Sequence, residues 1–185
     1  RRLDGFITNI LEMTRLESGQ VVFKENWVSA FDIISNVYGR MRAKLRGRIV
    51  QINDNCLRTK EICIDAFLVE QVVQNIFDNI LKYTPAGTSI DVWGEQEENL
   101  FCIHIRDYGK GIPEDQAEKI FDKYHRLNKQ DTNVAGTGLG LAIARIIMRA
   151  QGGNIRATNH PDGGAVFIIC FSNWRAMQID ARAAE

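Results

Sequence analysis

The chain has 185 residues, 45% of them hydrophobic and 25% charged, so it can bury one good core with at most a small appendage. Lys and Arg (23) balance Asp and Glu (23), which excludes a field that would gather nucleic acid or anionic lipid. No apolar run nears the ~20 residues of a membrane span and no signal peptide is present, so we expect a soluble, intracellular protein. The start at Arg1-Arg2-Leu3, without a methionine, points to a piece of a longer chain. The four cysteines (Cys56, Cys63, Cys102, Cys170) include no C-x-x-C pair. Three lie in apolar runs, where reduced core thiols are expected rather than disulfides or zinc ligands.

Residues 1–20 read as the end of a helix. Leu3, Phe6, Ile10 and Met13 recur at spacings of three and four, Ile7 and Leu16 widen the stripe, and Gly19 supplies a stop. Such a stripe seeks a partner helix or the domain's own core. Residues 21–23 predict a short strand. Ser29 predicts the N-cap of a helix to about Leu45, with Phe31, Ile34, Val37 and Met41 on its face. The basic residues Arg40, Arg42, Lys44, Arg46 and Arg48 suit its solvated end. Short strands are expected near 49–52 and 61–64, then a helix over 66–83 that stops at Thr84-Pro85-Ala86-Gly87. Alternation over 88–94 and 99–106 predicts a hairpin turning at 95–99. A later helix shows Leu139, Ala142, Ile143, Ile146, Ile147 and Ala150 on one face and ends at Gly152-Gly153. Residues 154–159 and 165–171 form a last hairpin around 160–164, and 172–185 read as a polar tail or loosely attached helix. The expected fold is α+β. A mostly antiparallel mixed sheet, covered on one face by three helices, makes a two-layer sandwich with a short N-terminal helix added.

Two glycine-rich stretches carry the chemistry. Asp107-Tyr108-Gly109-Lys110-Gly111 follows an expected strand, and Gly136-Thr137-Gly138-Leu139-Gly140-Leu141 runs into an expected helix. Spaced glycines let backbone approach a ligand closely, and a helix N-terminus favours anions. Together they describe a nucleotide site with a base end and a phosphate end. Asp107 can accept from an exocyclic amine such as adenine's, a charged hydrogen bond worth about 1.5–3 kcal/mol. On the 66–83 helix, Asn75, Asn79, Lys82 and Tyr83 fall on one stripe beside the apolar Val69, Val73, Ile76 and Ile80. Amide oxygens are hard ligands that suit Mg2+. Taken singly, each motif also fits a ligand-free turn or a plain polar helix edge. Polar residues 131–133 stand where a Rossmann unit needs a strand, and neither a G-x-x-x-x-G-K-[ST] loop nor an H-R-D or D-F-G triplet occurs.

Asn75-Ile-Phe-Asp-Asn79-Ile-Leu-Lys82-Tyr83-Thr84-Pro85 resembles the N box of sensor histidine kinases. Asp107-Tyr-Gly-Lys-Gly111 resembles their first glycine box, Ile120-Phe121-Asp122-Lys123-Tyr124 their F box, and Gly136-Thr-Gly-Leu-Gly140-Leu141 their second glycine box. Four motifs in order make the resemblance specific, and it extends over about 21–171. Residues 9–19 resemble the end of the second helix of the dimerisation and phosphoacceptor hairpin. That phrase, Lys82-Tyr-Thr-Pro-Ala-Gly87 and Pro161-Asp-Gly-Gly-Ala165 are most similar to the Kdp-type potassium and osmotic-stress sensors.

The resemblance implies a Bergerat-type ATP-binding domain over 21–172, with the hairpin's end at 1–20 and a polar tail at 173–185. It implies ATP and Mg2+ as cofactors, with Asn79 as metal ligand and Asn75 beside the metal and phosphates. Lys82 would contact phosphate and Tyr83 stack beside adenine. Asp107 would accept from the adenine amino group, in a pocket formed with Gly109, Gly111 and Ile112. Residues 112–136 would form a lid in which Arg126, and secondarily Lys129, reach phosphate. Gly136, Thr137, Gly138, Leu139, Gly140 and Leu141 would hinge the lid and bring amides to the phosphates. Catalytic roles fall to Asn75, Lys82 and Arg126. The implied partners are the hairpin of the same kinase, a response regulator and, in the full-length protein, a second copy; no nucleic acid is implied. The implied location is the cytoplasmic part of a protein anchored in the inner membrane. Ile80 and Leu81 depart from the small or polar residues usual in the N box, and Ala165 replaces a common threonine. Hydrolases of this fold carry a glutamate four residues before the metal asparagine, where this chain has Asn75, so ATP is held for an external nucleophile. That nucleophile is absent from the chain: His104, His125 and His160 are expected to be structural or solvent-exposed. A serine-directed kinase of the same fold and a non-catalytic nucleotide sensor are the alternatives.

Overall fold

The computed structural model describes Leu11, residues 13–16, Ser18, 21–125 and 138–177. In chain order the elements are β1 (Asn26–Ser29), α1 (Ala30–Met41), β2 (Val50–Asn53), α2 (Asp54–Leu57), β3 (Lys60–Ile64) and α3 (Ala66–Tyr83). There follow β4 (Ile90–Glu97), β5 (Leu100–Asp107), α4 (Gly140–Ala150), β6 (Asn154–Asn159), β7 (Ala165–Phe171) and β8 (Trp174–Ala176). Five strands form a mixed sheet in the order β2-β4-β5-β7-β6, where β2 and β4 run parallel and the other neighbours antiparallel. A second, antiparallel sheet has the order β1-β3-β8.

Helix α3 has no glycine or proline and buries Val69, Val72, Val73, Ile76, Phe77 and Ile80. Each such side chain contributes about 1.5–3 kcal/mol on burial. Asp65 caps its start, accepting from Leu68 N, and Pro85 holds Thr84 in the extended backbone that ends it. Apolar side chains of α1, α3 and α4 share one core with Phe101, Ile103 and Ile105 of β5 and Phe167 and Ile169 of β7. Asp65 N donates to Gln151 Oε1 at 2.6 Å just past α4, while Gly140 at the start of α4 faces Asn75. The two helices therefore run antiparallel, and α4 opens beside the second half of α3.

The α+β class and the helix-covered sheet are as expected; several details differ. Residues 21–23 form no strand, because β1 pairs in register with β3 only from Asn26. α1 stops at Met41, four residues early, as the chain turns through 42–47, and Ser29 stands at its N-cap without a side-chain cap bond. The first hairpin narrows to a turn at Glu98-Asn99, since β4 and β5 pair without a break from Ile90↔Asp107 to Glu97↔Leu100. α4 is buried almost all round: Leu141, Ala144 and Met148 join Ala142, Ile143 and Ile147, whereas Ala150 is exposed. The expected polar tail from 173 contains β8, tied down by Trp174 Nε1 donating to Asn99 O at 2.9 Å and by an Arg175–Glu61 ion pair. Cys102 and Cys170 are not free thiols. They are directly paired across β5 and β7, 4.1 Å apart at Cα, and joined by a disulfide. Cys56 and Cys63 are free. Of the N-terminal stripe, Met13 is buried in the core and Leu16 packs against it. Among the described residues, no helix is long and apolar enough to cross a membrane.

Candidate functional site

Asp107 is the last residue of β5 and is 4% exposed. Its Oδ1 accepts from Gly109 N at 2.8 Å and from Ala165 N at 3.3 Å, and among the described residues Oδ2 takes no hydrogen bond. Burial pushes the carboxyl up from its ordinary range; the two N–H groups, Arg48 and Arg106 pull the other way. Gly164 lets β7 start against this residue: a Cβ there would stand 1.8 Å from Asp107 O, and its φ of +84° also demands glycine. At Gly109 a Cβ would meet Thr84 Cγ2 at 2.7 Å and Asp107 Oδ1 at 2.9 Å. The first glycine box is thus pressed onto the end of α3. A cleft of about 500 Å³ opens there, lined by Lys82, Tyr83, Thr84, Pro85, Thr88, Tyr108, Gly109 and Lys110.

Two residues outside the expected set hold this end together. Arg48 Nη1 donates to Thr84 Oγ1 at 2.6 Å and Nη2 to Thr84 O at 3.0 Å, fixing the turn against which Gly109 lies. Its expected place on a solvated helix end is therefore wrong: it turns inward, drawn by Thr84 and by the charge of Asp107. Asn159 brackets Ile112, accepting from its N–H at 2.8 Å and donating to its carbonyl at 2.7 Å. Ile112 is buried, though it does not line this cleft, and Gly111 lies against the same asparagine.

Farther along α3, Asn75 and Asn79 are half-buried. Asn75 Nδ2 is buried and has no hydrogen-bond partner among the described residues. A Cβ on Gly140 would lie 3.5 Å from Asn75 Oδ1, so this amide faces the N-terminus of α4. Leu139 at that terminus gives no side-chain cap, and a helix start favours an anion. Lys82 Nζ sits 4.6 Å from the Tyr83 ring centroid, close enough for a cation–π contact. Tyr124, at the end of the F box, donates its N–H to Gly138 O at 3.1 Å, which ties the F box to the second glycine box. Leu139 and Leu141 are buried and anchor the start of α4. Arg126, Lys129, Gly136 and Thr137 lie outside the described residues. The structure therefore brings together Asn75 with Gly140, and Lys82 and Tyr83 with Gly109; Asp107 joins the second group through Gly109.

The Asn75 amide facing a helix start sets a hard oxygen and a polar N–H beside a position that favours anions. Residues 64–174 match the family described as histidine kinase-, DNA gyrase B-, and HSP90-like ATPases. The chain belongs to that family. The sensor protein KdpD of Escherichia coli (strain K12) is 32% identical to this ATPase-family chain over 174 residues, covering 94% of it and 19% of KdpD. Sensor histidine kinase WalK of Bacillus subtilis (strain 168) is 34% identical over 161 residues, 84% of this chain and 26% of WalK. The chain thus spans only a minor part of the curated relatives it matches. The solved catalytic domain of histidine kinase ThkA has a TM-score of 0.66 at 27% identity, over 82% of this chain and 95% of that one.

Proposed function

We propose that the chain is the ATP-binding catalytic module of a two-component sensor histidine kinase. It holds Mg-ATP and presents the γ-phosphate to a histidine on a helical hairpin of the same kinase, for relay to a response regulator. The observation that carries this reading is the placing of Asn75 against the start of α4, with its amide nitrogen buried and without a partner among the described residues. The amide oxygen of Asn79 would hold Mg2+, and that cation supplies neutralising charge between phosphate oxygens. Lys82 adds a point charge at the phosphates, and Tyr83 offers a ring to the base. Asp107 takes the base's amino hydrogen, on a carboxylate that the Gly109 and Ala165 amides keep aligned. Asn75 cannot remove a proton from water, so the phosphate waits for an outside nucleophile. Arg126, Thr137 and the rest of 112–141 supply the lid and its amide contacts.

Residues 1–20 are assigned to the end of the hairpin and 21–176 to the nucleotide domain, now including β8. The likeness to KdpD supports a potassium or osmotic sensor, cytoplasmic in this part, anchored in the inner membrane and homodimeric at full length.

Titration calorimetry with a non-hydrolysable ATP analogue tests the site: Asn79→Ala should remove the Mg2+ dependence, and Asp107→Asn should weaken binding at least about tenfold, the loss of one charged hydrogen bond. A wild-type chain that binds no adenine nucleotide would sink the proposal. Phosphotransfer is tested by supplying the histidine-bearing hairpin separately with radiolabelled ATP. Label on serine instead would favour the serine-directed alternative.

A further inference from the structure

On the face of the five-stranded sheet opposite the helices, residues of β4, β5, β7 and β6 stand in rows. One row is Glu95, Cys102, Cys170 and Asn154; the next is Trp93, His104, Ile168 and Arg156. Cys102, Val166, Ile168 and Cys170 form a small buried cluster of their own, flanked by Trp93 and separate from the main core. The nucleotide site uses none of these residues. The two cysteine sulfurs and a carboxylate oxygen of Glu97 all lie within 4.8 Å of one another. Glu97 is already held in place: Arg156 Nη2 donates to its Oε1 at 2.8 Å, and His104 Nε2 stands 3.3 Å from the same atom. His104 is fixed in turn by stacking on Trp93, with ring centroids 4.8 Å apart.

We propose that Cys102, Cys170 and Glu97 form a binding site for a thiophilic divalent cation of the zinc class, filled when the cysteine pair is reduced and emptied when it closes to the disulfide. Two thiolates and a carboxylate are three of the four donors of a tetrahedral zinc centre, and water completes it. Zinc–sulfur bonds of about 2.3 Å put two sulfurs roughly 3.8 Å apart on such an ion. Side chains on directly paired strands reach that separation by rotation about their Cα–Cβ bonds, with no shift of the sheet. A ligating carboxylate is usually held in turn by a further hydrogen bond, supplied here by Arg156.

Oxidation balances with a small disulfide of the glutathione class. One thiolate attacks the reagent's S–S bond and forms a mixed disulfide, expelling one thiolate. The second thiolate then attacks the cysteine sulfur of that bond, closing Cys102–Cys170, expelling the second thiolate and freeing the cation; both expelled thiolates take protons from water. Two electrons pass from the protein pair to the reagent.

The test uses the 185-residue chain, reduced with a phosphine and stripped of metal under argon. It is titrated with Co2+ as a spectroscopic stand-in and then with Zn2+. We expect one equivalent of Co2+ to bind with a thiolate-to-cobalt charge-transfer band and tetrahedral d–d absorption, both abolished by Zn2+. Oxidised glutathione should release the ion. Cys170→Ser should lose the two-thiolate band, and the double change Cys56→Ser with Cys63→Ser should leave binding intact. Circular dichroism checks that each variant is folded. Should Cys170→Ser not fold, Glu97→Gln, which keeps the disulfide pair, carries the test and should bind about tenfold more weakly or worse. The proposal is overturned by a reduced chain without the charge-transfer band, by a band that survives Cys170→Ser or vanishes with Cys56 and Cys63, by a Glu97→Gln variant that binds like wild type, or by equal binding to the disulfide form.

Discussion

Asp107 works under two opposing demands. In the proposed site it is to be buried so that it meets a base at close range, and ionised so that it accepts the base's amino hydrogen. Burial raises its pKa above the ordinary 3.8, so across the window between the two values the folded chain keeps a proton that the unfolded chain has lost. The stability contributed by this group is therefore greatest at low pH and falls as pH rises through that window. Nucleotide affinity has the opposite sign and rises as Asp107 ionises. Calorimetry on the wild type should show adenine affinity dropping on acidification at a pH above the usual aspartate range, while Asp107→Asn binds weakly without that step. A step at the ordinary value would refute the role given to burial. Arg48 can be tested at the same scale. Arg48→Met keeps the length of the side chain but removes both bonds to Thr84. It should weaken nucleotide binding about tenfold, since each such bond to a charged group is worth roughly 1.5–3 kcal/mol before relaxation. An unchanged affinity alongside a lowered melting temperature would reduce Arg48 to a structural prop.

At the scale of elements, the first glycine box and the end of α3 form one assembly. Gly109→Ala places a methyl group against Thr84 Cγ2 and Asp107 Oδ1. We expect at least about a tenfold loss of nucleotide affinity, of the order of the 1–3 kcal/mol that overpacking costs, with only a small change in melting temperature. A large fall in melting temperature with normal binding would contradict this. How far the elements could be read from the residues follows from where their causes lie. α3 matches its expected bounds because its period, its Asp65 cap and its Pro85 stop are all local. The β6–β7 hairpin was equally plain, framed by the glycine-rich turn at 160–164. β1 and β8 were hidden, being four and three residues long and largely exposed or half-buried, and they are strands only because β3 lies between them. The disulfide required knowing that Cys102 stands opposite Cys170. The same division runs through the site. Asp107, Asn75 and Asn79 sit in short motifs, but Arg48 and Asn159 act on residues far away in sequence and announced themselves by no local pattern.

For the whole molecule, the proposed role of Asn75, an amide instead of a carboxylate, implies a domain that holds ATP without hydrolysing it efficiently. Alone, it should turn over ATP slowly in a coupled phosphate-release assay; rapid turnover would show that another group deprotonates water. Its contact with the preceding segment is more specific than its loops suggest. Asp65 Oδ2 accepts from Lys24 N at 2.9 Å, Oδ1 caps α3, and its own N–H reaches Gln151 beyond α4. Asp65→Ala should cost about 0.5–2 kcal/mol in thermal denaturation from the lost cap alone. One residue, through its carboxylate and its own N–H, therefore clamps the entering chain to the near ends of two antiparallel rods, the longer running roughly 27 Å. Asn75 and Gly140, which face one another, lie farther along those rods. A pull on the entering chain therefore reaches the start of the longer rod through a single side chain, as on a handle fixed by one pin.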